Sequence, residues 1–244
     1  MQDRLFEDPE LVQFYDAENG WGDDTRYCLA LAEGARSVLD LGCGTGLLAA
    51  ALGGSRDVWG VDPAAAMLQV ARHREGGSAV TWVEADARSV RLGRRFELIV
   101  LTGHAFQCFL TDDDQRALCA TIRAHLEPGG RFIFDSRNPA LEEWREWVPD
   151  RSLRTIVLPG IGRVSAWNDV SFDPETEVAS YDTVYRNDEG RLWTATSRIR
   201  FATKNNIHRA IVSADLGVAQ WLGDWQGTAW SPEAREIIAL GGHA

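Results

Sequence analysis

The chain has 244 residues, enough for one elaborated domain or two small ones. Hydrophobic residues at 45% and charged residues at 25% describe a globular protein and exclude a disordered, collagen-like or repeat chain. With 25 basic against 36 acidic residues the net charge is −11, which gives no long-range pull toward phosphate backbones or anionic lipid, so neither nucleic acid nor membrane is an expected partner.

Residues 1–35 read as an N-terminal helical cap, and 1–15 carry acids with no apolar run of the signal- or transit-peptide kind. No stretch approaches the ~20 apolar residues that span a bilayer, so a cytoplasmic setting is expected. Residues 36–136 alternate β-branched runs at 37–41, 57–61, 80–84, 96–101 and 131–135 with helix-like segments at 46–52, 63–74 and 112–126. Pro63 and Asp112 to Asp114 are helix-start signals, and Glu127-Pro128-Gly129-Gly130 turns the chain. Strands alternating with helices at this spacing imply right-handed crossovers and a parallel sheet covered on both faces, an α/β fold.

Beyond Asp135 the pattern changes. Runs at 153–158, 164–172, 178–185 and 192–201 have period-2 character and are separated by turn clusters such as Asn187-Asp188-Glu189-Gly190, so 137–202 reads as an antiparallel insertion. In its last run Trp193, Ala195, Ser197, Ile199 and Phe201 share one mostly apolar face, expected to be packed. A helix at 203–216 and strands at 218–225 and 236–240 form the final segment, 203–244. Cys28, Cys43, Cys108 and Cys119 lack CxxC spacing and a neighbouring histidine at ligand spacing, so they are expected as thiols, with no metal.

The most specific signal is Asp40-Leu41-Gly42-Cys43-Gly44-Thr45-Gly46, at the junction of the first strand with its helix. Glycines there open backbone torsions closed to other residues and let a ligand approach the main chain, and the helix N-terminus offers unpaired N–H groups. A dinucleotide fingerprint would place its third glycine at position 47, which is Leu47. Asp40 would also set negative charge beside a diphosphate, whereas it suits an ammonium or sulfonium cation. An NAD-dependent oxidoreductase is therefore the weaker alternative.

These residues resemble motif I of the class I S-adenosylmethionine-dependent methyltransferases, and four further features stand in that family's order across residues 36–136. The resemblance implies a Rossmann-like, doubly wound, mostly parallel seven-stranded sheet, with an antiparallel insertion after the fifth strand. It assigns Asp62, at the end of the second strand, to the ribose hydroxyls, followed by Pro63, and Met67 to the adenine ring, although a methionine on such a helix also fits plain core packing. Asp86 and the Ala87 backbone would read the adenine edge, and Thr102 would border the cofactor beside Asp40, Gly42, Cys43, Gly44 and Gly46. Leu126 to Arg131 resembles the turn ahead of the fifth strand. The implied cofactor is S-adenosylmethionine and the implied partner a small-molecule methyl acceptor, a small soluble metabolite methylated on nitrogen or oxygen, the protein being a monomer or homodimer. A non-catalytic protein that keeps the cofactor pocket is the other alternative.

Methyl transfer is an in-line displacement that rests mainly on alignment, with a base needed only if the acceptor carries a proton. The loop after the fourth strand, Thr102-Gly103-His104-Ala105-Phe106, lies at the carboxyl ends of the strands, where ligands bind in open α/β sheets. His104 is the candidate base, or else a positioning group. The loop lacks the Asp/Asn-Pro-Pro-aromatic pattern of the amino-methyltransferases that act on nucleic-acid bases. Tyr15, Trp21, Phe106, Arg137, Asn138 and Trp144 are candidate acceptor contacts. Seven of the ten tryptophans follow the fifth strand and serve either acceptor stacking or sheet packing.

Overall fold

A computed structural model describes residues 3–244. The chain begins with three helices, α1 (Arg4–Glu7), α2 (Pro9–Glu18) and α3 (Asp23–Leu31). Asp3 and Asp8 cap the first two by accepting from Leu5 and Glu10 N–H. Then come β1 (Ser37–Leu41), α4 (Leu47–Leu52), β2 (Asp57–Asp62), α5 (Ala65–His73), β3 (Val80–Glu84), β4 (Phe96–Leu101), α6 (Asp112–His125) and β5 (Leu126–Arg137). A short helix α7 (Pro149–Ser152) precedes β6 (Arg154–Leu158), β7 (Gly162–Asp173), β8 (Val178–Asn187) and β9 (Leu192–Arg200). The chain ends with α8 (Lys204–Val212), β10 (Leu216–Leu222) and β11 (Glu236–His243).

Seven strands form one sheet in the order β10-β11-β5-β4-β1-β2-β3. The first five strands of the chain run parallel, and β11 pairs antiparallel with both β5 and β10. Both faces are buried, as the strand sequences require. Leu39, Ile99, Phe132 and Phe134 pack on one side with Leu118 and Ile122 of α6, while Val38, Leu98, Val100 and Ile133 pack on the other with Leu48 and Leu52 of α4. Each such side chain contributes about 1.5–3 kcal/mol of burial. Because β1 lies between β2 and β4, the order reverses at its carboxyl end, and the loops after β1, β2 and β4 open onto one crevice.

The fifth strand is longer than its sequence pattern indicates. Leu126 pairs with Phe96 and Arg131 with Leu98, so the intervening residues bulge out, with Gly129 at φ +80°. Leu126 is held because it is fully buried in the core. Similarly, α5 starts two residues later than expected, since Asp62 accepts from Ala64 N–H and fixes the preceding turn.

Strands β6 to β9 make a separate antiparallel sheet in sequential order. Trp193, Ala195, Ser197 and Ile199 face inward and are buried, as the period-2 pattern expects, and Leu192 is exposed. Helix α2 is wedged between the second sheet and α5. Leu11 and Phe14 pack on Val164, Tyr185 and Trp193 of the second sheet, with Phe14 stacked on Tyr185 at 4.1 Å. On its other side Val12 packs on Ala64 and Met67 beside α5.

Candidate active site

The loop after β1 is held from below by β2. Gly42 and Cys43 N–H groups both donate to the Val61 carbonyl, at 2.7 and 3.1 Å. Asp62 clamps the next turn: one oxygen accepts from Gly44 N–H and the other from Ala64 N–H, each at 2.9 Å. A carboxylate has about four acceptor sites, so lone pairs remain for further donors such as a pair of hydroxyls. Gly42 and Gly44 adopt φ +71° and +53°, conformations that strain any other residue. Gly46, at φ +76°, has a further reason to be glycine, because a Cβ there would lie 2.5 Å from Trp82 and 2.7 Å from Ala71. The loop is shaped partly for the ligand and partly by the packing behind it.

Asp40 is buried beneath this loop, and burial together with the nearby Asp62 charge pushes its carboxyl up to about 7. Burial also raises Asp62, against its two backbone hydrogen bonds. Among the described residues no arginine or lysine pairs with either acid. Two buried carboxylates at the glycine loop, with no basic partner among the described residues, fit a ligand that carries both hydroxyls and a cation, as S-adenosylmethionine does.

Several of the other expected cofactor residues border the same crevice. Ala85 N–H donates to the Asp62 carbonyl, which brings the segment after β3 beside the end of β2. There Asp86 is gripped by the Arg88 guanidinium, which in turn reaches Asp114, so its carboxyl lies below the usual range. Ala87 is buried against the core, Pro63 precedes α5, and Thr102 follows β4 at half burial. Met67 is buried among Val12, Ala64, Phe6 and Tyr15, beneath the N-terminal helices. Cys43 turns its thiol inward, where burial raises it well above its ordinary value.

Helix α2 covers the glycine loop. A Cβ on Gly44 would touch the Tyr15 ring at 3.7 Å. Next to it Asp16 accepts from the Thr45 hydroxyl at 2.5 Å and pairs with Arg74, and Arg74 Nε donates to the Thr45 carbonyl at 2.9 Å. Sequence reasoning missed this latch, since nothing local relates positions 16, 45 and 74.

The loop after β4 carries His104 in the left-handed conformation at φ +60°, directly after Gly103 at φ +67°. For a non-glycine residue this costs about 1–2 kcal/mol. Asp135, at the end of β5, holds it there by accepting from His104 N–H at 3.1 Å. The imidazole Nε2 lies 2.9 Å from a Glu236 oxygen and 3.5 Å from the second Asp135 oxygen. The ligand-type atoms of this trio all lie within 4.8 Å of one another. Asp135 is 1% exposed, and burial pushes its carboxyl up to about 6 while the imidazole pulls it down. Asp135 was legible as an acid at a strand's carboxyl end, like Asp40 and Asp62. Glu236 carried no signal, because only the antiparallel pairing of β11 with β5 sets it opposite Arg137.

The expected acceptor residues separate into two groups. Tyr15 lies against the glycine loop, and Arg137 ends β5. Arg137 donates to Gln107 at 2.9 Å and pairs with Glu143, and its guanidinium lies over Trp147. Asn138, by contrast, spends its amide within the protein, donating to the Pro232 and Ala234 carbonyls and accepting from Ala140 N–H. Phe106 is fully buried and stacked on Phe134 at 4.4 Å. Trp144 is stacked on Phe172 at 4.0 Å and packed against Phe201. Trp21 is 42% exposed in the link after α2. The structure thus gives Asn138, Phe106 and Trp144 to the framework, because each one's polar or aromatic capacity is already used by protein neighbours.

Residues 38–130 match the family described as a methyltransferase domain. A cypemycin N-terminal methyltransferase from Streptomyces sp. is 34% identical over 107 residues, which is 43% of this chain and 43% of that protein. A dTDP-3-amino-3,4,6-trideoxy-alpha-D-glucopyranose N,N-dimethyltransferase from Streptomyces venezuelae is 32% identical over 117 residues, 48% of this chain and 45% of that protein. The chain therefore spans less than half the length of these two curated relatives. The CcbJ methyltransferase of Streptomyces caelestis superposes with a TM-score of 0.76 at 23% identity, covering 92% of this chain and 97% of that one. The family match falls on the parallel core, and the structural match covers nearly the whole chain.

Proposed function

We propose, from the premise that this chain belongs to the class I S-adenosylmethionine-dependent methyltransferases, that it methylates an amine nitrogen of a small soluble metabolite. The observation that carries this reading is the pair Asp40 and Asp62 at the glycine loop, buried and without a basic partner among the described residues. Bound S-adenosylmethionine supplies an electrophilic methyl group on a sulfonium cation. Asp62 would hold the ribose hydroxyls and Asp40 would provide the negative field for the cationic end. Nitrogen as acceptor is supported by the two Streptomyces relatives, one named for an N-terminal and one for an N,N-dimethyl transfer. Four free cysteines support a reducing, cytoplasmic setting, and no helix among the described residues is long and apolar enough to cross a membrane.

His104 serves as base on this reading. With both carboxylates at Nε2, that nitrogen carries the hydrogen and donates it to Glu236, which leaves the lone pair on Nδ1. His104 Nδ1 would take the proton that the acceptor nitrogen must lose on methylation. Glu236 and Asp135 then stabilise the imidazolium. General-base assistance of this kind is worth about 10²–10⁴-fold, so H104A is expected to lose rate by that order and to flatten the pH–rate profile, with S-adenosylmethionine affinity kept.

Calorimetry with S-adenosylmethionine, its demethylated product and NAD tests the cofactor, and transfer of labelled methyl into a metabolite extract tests the activity. Tight NAD binding with no response to the other two would turn the reading toward an oxidoreductase. Cofactor binding with no labelled product would leave a binding protein.

A further inference from the structure

The loop after β4, the carboxyl end of β5 and the start of β11 bring His104, Asp135 and Glu236 to one point, their ligand-type atoms within 4.8 Å of one another. Among the described residues neither carboxylate pairs with an arginine or lysine, and the imidazole of His104 is the one ion-pair partner of both. The cations nearest along the chain turn elsewhere, since Arg137 and Arg235 both reach Glu143. Asp135 is 1% exposed, and Asp24 adds to the negative charge around it. With the imidazole neutral, the trio therefore holds two negative charges, one of them deeply buried, that no cation among the described residues offsets. An uncompensated buried carboxylate is costly, and a divalent cation cancels both charges at once.

The spacing suits such an ion. A zinc-type ion with tetrahedral bonds of about 2.1 Å sets neighbouring ligand atoms about 3.4 Å apart. Nε2 of His104 lies 2.9 Å from the Glu236 oxygen and 3.5 Å from the Asp135 oxygen, so these two spacings bracket that value. The ligands are also supported from behind: the other Asp135 oxygen accepts from His104 N–H at 3.1 Å, which fixes the carboxylate against the loop. The side chains of His104 and Glu236 keep 22% and 19% of their surface exposed, so the trio opens to solvent on one side. One imidazole nitrogen with two carboxylate oxygens selects zinc, cobalt or manganese over magnesium, which prefers all-oxygen donors and keeps its own waters.

We infer that His104, Asp135 and Glu236 form a site for one divalent transition-metal ion of the zinc type, and that its occupancy switches off the methyl transfer proposed above. The switch rests on that reading; the site does not. Nε2 binds a metal through its lone pair, so the hydrogen that Nε2 otherwise carries resides on Nδ1. Nδ1 is the nitrogen that must be bare to take the acceptor's proton. Metal ligand and base are exclusive uses of one imidazole, because each needs a different tautomer.

The test is a cobalt titration of the full chain after dialysis against a chelator, read by visible absorption. One equivalent is expected to bind, with a ligand-field spectrum that lacks sulfur charge-transfer bands. E236Q and H104A are each expected to weaken binding at least about a hundredfold, because losing a ligand costs more than losing a supporting hydrogen bond. C108S, which alters the exposed thiol, should bind as the parent does. E236Q keeps the size of the side chain and an oxygen to accept from Nε2, and its melting temperature and calorimetric affinity for S-adenosylmethionine should match the parent's. Equal binding in E236Q and H104A, loss of binding in C108S, or no saturable binding at millimolar cobalt overturns the site. Saturating zinc is expected to slow labelled methyl transfer into a chelator-treated metabolite extract by about the 10²–10⁴-fold that a general base contributes, reversibly on adding chelator. The residual rate of H104A should not respond to zinc. Transfer unaffected by saturating zinc, or H104A inhibited as strongly as the parent, overturns the switch. If the metal-free parent neither binds S-adenosylmethionine nor labels the extract, the methyltransferase reading has failed, and the cobalt titration still decides the site.

Discussion

Asp40 shows how one side chain ties binding to stability. Its ordinary value is 3.8 and its folded value about 7. Between those limits the folded protein holds a proton that the unfolded chain has released, so this group's contribution to stability falls as pH rises through the window. A cation placed beside it favours the carboxylate and expels that proton. S-adenosylmethionine is therefore expected to bind more tightly as pH climbs toward about 7 and to release protons below it, which calorimetry in buffers of different ionisation heat would measure. D40N should bind weakly with no pH trend, and should be more stable than the parent at pH 8 by on the order of 2 kcal/mol, with the gain gone at pH 4. Greater stability in a variant that binds less well is the mark of a residue kept for its ligand.

At the level of elements, the glycine loop and the helix above it carry separate constraints. G46A combines a left-handed alanine with a methyl group driven into Trp82 and Ala71. A loss of about 3 kcal/mol or more in urea unfolding is expected, with the cofactor site disordered as a consequence. D16N should leave global stability nearly unchanged, since the Asp16–Arg74 pair is partly exposed and worth about 0–1 kcal/mol. Its expected effect is local: α2 is held to the loop less firmly, so stopped-flow release of S-adenosylmethionine should be about threefold faster. Equal release rates would show that the Asp16–Thr45–Arg74 latch does not govern cofactor exit.

For the whole molecule, α2 matters more than its ten residues suggest, because one face packs on the second sheet and the other on α5, which covers the first. A ligand held at the glycine loop beneath Tyr15 bears on α2, and through it on α5 and the second sheet together. Saturating S-adenosylmethionine at about 100 times its dissociation constant is expected to add roughly 3 kcal/mol to unfolding as one cooperative transition. Two transitions in the calorimeter, with only one moved by cofactor, would show that the second sheet unfolds independently.

The amino-acid sequence alone determined the parallel core, the antiparallel meander and the residues that line the loops after β1, β2 and β4. Those features are written locally, in the 3.6 and 2 periodicities and in glycines placed where a strand hands over to a helix. Even the inward face of β9 was readable, since alternate residues along a strand must point the same way. What only tertiary structure decided was which side chains remain free to act. Asn138, Phe106 and Trp144 looked available along the chain and are consumed by partners far from them in sequence. Glu236 looked ordinary and became the partner of His104. Hydrogen-bond satisfaction and burial are properties of the neighbours that folding brings together, and no local pattern along the chain encodes them.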